Sequence, residues 1–200
     1  GVTTIGKYAF DGCNSLSEIT LSEGLTTLDD YAFRGTKSLQ TINLPDSLTY
    51  LGTYLFQYGG LTEIVIPKNI TMLGKPSSSG FSTSTTGYMF NECVDLKKVT
   101  LPEGLTGIGT STFNGCINLT TVNIPDTVTI IAGSAFKNCA NLDGITLPEG
   151  LEKTGSDVFA NCTSLTSVNV PGISSVGGNM FMGCTKLATV TLSPDLTQLG

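Results

Sequence analysis

Apolar and polar positions along this chain fall into a train that returns every 22 or 23 residues. Its clearest marker is Phe, at Phe10, Phe33, Phe56, Phe90, Phe113, Phe136, Phe159 and Phe181. Three residues after each comes a small residue: Cys13, Thr36, Gly59, Cys93, Cys116, Cys139, Cys162 and Cys184. A leucine anchor follows, from Leu16 in the first copy to Leu187 in the last, and then an apolar pair spaced by two, such as Ile19/Leu21 or Val122/Ile124. A turn written "PEGL", "PDSL" or "PDTV" leads to a second apolar pair, such as Leu25/Leu28 or Leu105/Ile108. Self-similarity at this period is the signature of a solenoid.

The I-x-L step has period two, so its apolar side chains share one face and the residues between them face outward. It predicts a short strand with one buried side. The following Pro has no amide hydrogen and ends the pairing, while the acidic and Gly residues complete a turn. The second apolar pair brings the chain back across the other side, and the G-x-x-A-F segment turns the corner, predicted as one helical or 3₁₀ turn. A lone coil cannot cover its apolar face; stacked coils bury it continuously. Eight coils at a rung spacing of about 4.8 Å span on the order of 35–40 Å. The expected architecture is one solenoid over residues 1–200 with a parallel sheet of about eight short strands. Residues 75–86, "KPSSSGFSTSTT", interrupt the approach to the fourth Phe and account for the single step of 34 residues from Phe56 to Phe90. Such a segment cannot build a core and is expected to loop out, with Phe81 as an exposed tip. The chain opens and closes mid-repeat, with "VTTIGKYAF" and "LTQLG" and no polar cap, which predicts a piece of a longer array.

The whole frame resembles the BspA-like leucine-rich repeats of the Treponema pallidum type. The resemblance is carried by "IGKYAFDGCNSLSEITL", "IGTSTFNGCINLTTVNIP" and "IAGSAFKNCANLDGITLP" and spans the chain apart from the insert. The commoner leucine-rich-repeat consensus places Asn or Cys three residues after the strand; here that place holds Gly24, Ser47, Asn69, Gly104, Thr127 and Gly150, so its usual Asn ladder is missing. The resemblance implies a right-handed leucine-rich-repeat coil in a bacterial surface or secreted protein used in adhesion. It also implies a protein or glycoprotein partner, host matrix proteins such as fibronectin and fibrinogen among them, and a signal and anchor outside this segment.

Composition narrows the chemistry. The net charge is -6 and only 13% of residues are charged, so the clustered Lys and Arg that nucleic-acid phosphates require are missing. No run approaches the roughly 18 apolar residues of a membrane span. There is no His, and the carboxylates fall one per coil, so no converging acid, base and nucleophile is visible and no cofactor is expected. The Cys column reads as a slot for small residues, in which thiols behave as small hydrophobes, because in-register side chains run parallel and do not face one another for disulfides.

Four features are candidates for contact with a partner. The outward strand positions form a polar, weakly charged face that includes Glu18, Thr20, Thr41, Asn43, Glu63, Val65, Lys98, Thr100, Thr121 and Asn123. Solenoids use this kind of surface for partners, although Thr also suits any half-exposed strand. A Tyr column two residues before each Phe comprises Tyr8, Tyr31, Tyr54 and Tyr88; it serves either contact or corner packing. The insert with Phe81 offers a contact, a Ser/Thr modification site, or only a tolerated insertion. Glu103, Asp126 and Glu149 form a run of turn carboxylates that is either a Ca²⁺ edge or simple turn chemistry, and the second is preferred, with no metal expected. The expected function is a non-catalytic interaction or adhesion module on a bacterial surface; the alternative is a spacer that presents other domains and binds nothing itself.

Overall fold

The structure, a computed structural model, describes residues 1–170, 172–173, 175–196 and 198–199. Part of the closing "LTQLG" (Thr197 and Gly200) lies outside them. We number the coils 1 to 8 by their Phe, from Phe10 to Phe181.

The I-x-L segments form the front of the solenoid. Strands Glu63–Val65, Lys98–Thr100, Thr121–Asn123, Gly144–Thr146, Ser167–Val170 and Thr189–Leu192 pair in parallel, each with the next coil, in one six-stranded sheet. Register is strict: Val99 is level with Val122, Ile145 with Val122 and with Val168, and Val168 with Val190. That register follows from the period-two burial, because a slip by one residue would turn every apolar side chain outward. Six of the eight predicted strands are therefore realised. In coils 1 and 2 the corresponding segments form no paired strand, and grooves of about 270 and 180 Å³ run over them.

The second apolar pair is also a strand line. Thr4–Ile5, Thr27–Leu28 and Tyr50–Leu51 form one parallel sheet, and Met72–Leu73, Gly107–Ile108, Ile130–Ile131 and Lys153–Thr154 form another, with Ser175–Val176 and Gln198–Leu199 beyond. The core lies between the front and back lines. Its centre is a column of Phe rings, fully buried from Phe33 to Phe159, stacked 5.1–6.0 Å apart along the whole array.

The corner is not helical among the described residues. The predicted helical or 3₁₀ turn is replaced by consecutive tight turns, with Ala9 N–H donating to Gly6 O, Asp11 to Tyr8 O and Cys13 to Phe10 O. Alternate amides (Tyr8, Phe10, Gly12) point to the next coil, at Asp30 O, Ala32 O and Arg34 O. A helix would turn these donors inward; two left-handed residues per corner aim them along the solenoid axis. Those residues stand two before and two after each Phe, for example Tyr8 (φ 61°) and Gly12 (φ 71°) in coil 1, Ser134 (φ 56°) and Asn138 (φ 60°) in coil 6.

The insert does not loop out. Lys75 pairs antiparallel with Thr86 and Ser77 with Gly80, and the returning arm is sewn to coils 5 and 6 by Thr110 N–H to Thr85 O and Gly133 N–H to Thr83 O. Phe81 is not an exposed tip: its ring lies on Gly107, where an added Cβ would meet it at 2.6 Å. Gly107 sits in register between Met72 and Ile130, both half-buried, so one coil lacks a side chain where the ring lands.

Candidate functional site

The front sheet presents the predicted contact face. Glu63, Val65, Lys98, Thr100, Thr121 and Asn123 are all exposed, while Ile64, Val99 and Val122 between them are buried. Glu63 is level with Lys98, and Lys98 with Thr121. Val65 is the largest apolar side chain on this face, 64% exposed. Glu18, Thr20, Thr41 and Asn43 are exposed too, but in segments outside the sheet, so the structure brings together six of the ten residues in one sheet and leaves the other four in the two coils before it. The groove between coils 2 and 4 is lined by Thr41, Asn43, Glu63, Val65, Lys98 and Thr100; a shallower one of about 440 Å³ runs over Thr121, Asn123, Thr146 and Ser167.

The Tyr column is a stack. Tyr8, Tyr31, Tyr54 and Tyr88 lie 4.9, 4.7 and 4.7 Å apart with nearly parallel rings. Burial, followed by the neighbouring Tyr hydroxyls, raises the Tyr54 phenol above its ordinary value. Lys7 and Arg34 sit over the Tyr8 and Tyr31 rings at 5.0–6.0 Å, which closes that end with cation–π contacts. Much of the ring area is consumed by the stack itself.

Behind this stack lies a buried charge that the sequence did not single out. Asp30 accepts from Thr53 N–H at 2.9 Å and from its hydroxyl at 3.0 Å, with Lys75 at 3.6 Å and Lys7 at 3.8 Å. Burial pushes this carboxyl up, but the two Thr53 bonds and the two ammonium groups outweigh it and hold it below the usual carboxylate range. Lys75 stands at the root of the insert, so the same carboxylate joins the insert to coil 1.

The Cys column has no reactive geometry. Cys93, Cys116, Cys139, Cys162 and Cys184 each donate S–H to the Phe carbonyl of the preceding coil at 3.0–3.2 Å. Burial pushes Cys93 and Cys162 up to about 12 and raises Cys116 and Cys139 well above the ordinary thiol value. Beside it runs an amide ladder on a corner where none was predicted. Asn161 donates to Asn138 Oδ1, Asn138 to Asn114 Oδ1, and Asn91 to the Asn114 carbonyl. Glu103, Asp126 and Glu149 are exposed, and among the described residues no three Cys, Asp or Glu side chains converge on a point that could hold a metal.

One cleft was not anticipated. It measures about 660 Å³ and lies at the Phe–Cys corner of coils 2 to 4, bordered by Arg34, Lys37, Tyr58, Gly59, Gly60, Glu92, Val94 and Asp95. Its signal was present in the spacing. Phe leads its Leu anchor by six residues in seven coils and by five in coil 3, from Phe56 to Leu61.

The sequence matches the family described as "BspA type Leucine rich repeat region (6 copies)" over residues 1–86 and again over 83–200. No protein of curated function matches it. Among solved structures, a T. pallidum leucine-rich repeat protein superposes with a TM-score of 0.62 at 22% identity, over 88% of this chain and 71% of that one. A Bacteroides ovatus leucine-rich repeat protein gives 0.59 at 21%, over 100% and 66%, and a leucine-rich cell surface protein of Faecalibacterium prausnitzii gives 0.52 at 24%, over 96% and 69%. The chain thus spans about two thirds of the length of these relatives, and at such identities they establish the fold alone.

Proposed function

Because the chain belongs to the BspA-type leucine-rich-repeat family, we propose that it is a non-catalytic protein-interaction module displayed on a bacterial cell surface, docking a host matrix protein or glycoprotein on its front sheet. The observation that carries this reading is the uncovered outward face: six strands in register whose outward residues are almost all exposed, polar and of mixed charge, with grooves along it. Such a surface offers side-chain donors and acceptors on a rigid base, so a partner encounters positions already fixed and little ordering entropy is lost on docking. The likeness to a cell surface protein of F. prausnitzii supports surface display. The acidic, weakly charged composition suits a partner read by hydrogen bonding more than by long-range attraction.

The test is binding of the purified chain to immobilised fibronectin, fibrinogen and a panel of mucosal glycans, beside a variant with Glu63, Lys98, Thr100 and Asn123 replaced by Ala. Saturable binding to one partner, lost in the variant, supports the proposal. Binding retained in the variant moves the site to the Tyr stack or the insert. No binding on the order of tens of micromolar favours a spacer that presents other domains.

A further inference from the structure

The cleft at coils 2 to 4 exists because one residue is missing. In seven coils, two residues bridge the small residue and the Leu anchor and form a shoulder on the surface: Lys37 and Ser38 in coil 2, Val94 and Asp95 in coil 4. In coil 3 the bridge is Gly60 alone. The chain there is drawn in against coil 2, so close that a Cβ on Gly60 would collide with the Lys37 carbonyl. One shoulder is absent between two that remain, which leaves a slot two rungs wide, about 9–10 Å, with a glycine floor.

The walls show that this slot is more than a gap. Two residues after each Phe the backbone is left-handed in all eight coils. Six of the eight carry Gly or Asn there: Gly12, Gly35, Gly115, Asn138, Asn161 and Gly183. These are the residues that tolerate positive φ at least cost. The exceptions are adjacent and both border the slot: Tyr58 and Glu92, each with φ 59°. At this one position, two residues after the Phe, side chains other than Gly or Asn stand only beside the cleft, whereas two residues before the Phe every coil carries a left-handed non-Gly residue.

We propose that the slot is a second binding site, on the flank and independent of the front sheet, and that it receives a Lys or Arg side chain from an extended segment of a partner protein. Tyr58 is 51% exposed and Val94 40%, giving an aromatic ring and an aliphatic side chain to cover the stem. Glu92 lies over Gly115, its Cδ 2.6 Å from where a Cβ would be, so the bare glycine makes room for the carboxylate. Neither Glu92 nor Asp95 belongs to an ion pair among the described residues. On the opposite wall Arg34 is already spent, bound through two nitrogens to Asp11 at 2.8 and 2.7 Å, which leaves Lys37 as the one opposing ammonium. Two carboxylates outside any ion pair among the described residues line the same cleft as an exposed aromatic ring, a combination that suits a cation.

The probe is an acetylated, amidated Gly-Ser-Arg-Ser-Gly peptide titrated into the isotopically labelled chain, with citrulline and Glu replacing Arg as controls. The expected result is saturable amide shifts at Tyr58, Gly59, Gly60 and Glu92 for the Arg peptide, weakened by salt and absent with citrulline or Glu. E92Q with D95N weakens binding roughly tenfold or more, and K37Q tightens it. Y58G and E92G place the other coils' residue at the left-handed position; both should melt at the wild-type temperature or above it while binding less. Equal shifts with citrulline, preference for the Glu peptide, no localised shift at millimolar peptide, or full binding by Y58G and E92G would each overturn the proposal. Loss of front-sheet binding in the fibronectin and fibrinogen assay has no bearing on these shifts, so the two sites fail separately.

Discussion

The Phe column makes a quantitative demand on stability. Phe113 is fully buried and stacked on both sides, 5.4 Å from Phe90 and 5.2 Å from Phe136. Phe113→Ala removes the ring from a site that neighbours on both sides hold open. Loss of burial plus the residual cavity costs about 3–5 kcal/mol. With two stacked contacts of about 0.5–1.5 kcal/mol each also lost, the upper half of that range is expected. Phe10 is only partly buried and, among the described residues, has a single stacked neighbour, Phe33 at 5.1 Å. Phe10→Ala is therefore expected to cost about half as much, roughly 1.5–2.5 kcal/mol. Urea unfolding followed by far-ultraviolet circular dichroism gives both values by linear extrapolation. In a quasi-one-dimensional array the central lesion also uncouples the two halves, so its transition should broaden. Phe113→Leu, which keeps most of the volume, is the control and should cost less than about 2 kcal/mol. Equal losses at Phe10 and Phe113, or a loss below about 1.5 kcal/mol at Phe113, would refute the idea that a continuous stack holds the coils together.

Other consequences are as direct. Thiol labelling of the native protein should modify the exposed Cys13 quickly and Cys93, Cys116, Cys139 and Cys162 only on unfolding, as mass spectrometry of timed samples would show. Gly107→Val should expel Phe81 and free the insert, seen as rapid proteolysis within residues 75–86 while the coils stay protected; Phe81→Ala should free the insert likewise. The Asp30 carboxyl lies below its unfolded value, so its contribution to stability is present above about pH 4 and is lost as pH falls through the folded value. Asp30→Asn should flatten that part of the acid-stability profile, and an unchanged profile would contradict the assignment.

Much of the fold was legible because one side-chain pattern recurs eight times. In coils 2 to 7 the Phe, small-residue, Leu and I-x-L positions all fall where burial requires, and an error would have had to repeat in every one of them. What the pattern could not supply was the backbone. Nothing in the sequence marks the backbone of Tyr8, Tyr31, Ser134 and Asp157 as left-handed, yet it is, because the corner amides must reach the next coil. Strand pairing in coils 1 and 2 was over-predicted: Ile19/Leu21 and Ile42/Leu44 carry the right period but their segments join no sheet. The insert reads as polar and structureless, and only the missing side chain at Gly107 tells where Phe81 comes to rest. The flank cleft was hidden by a single-residue shortening at Gly60, invisible to a frame that counts anchors without the spaces between them.

The central claim is that the open front sheet, and not the back of the coils, meets the partner. The most direct measurement compares binding of a matrix partner by Asn123→Arg, in the middle of the front sheet, with binding by Ser156→Arg, exposed on a back corner. Both changes add one positive charge and one long side chain. The account predicts that Asn123→Arg weakens binding by at least about tenfold, about 1.4 kcal/mol, and that Ser156→Arg leaves it unchanged. The reverse order, or equal binding by both, would contradict it.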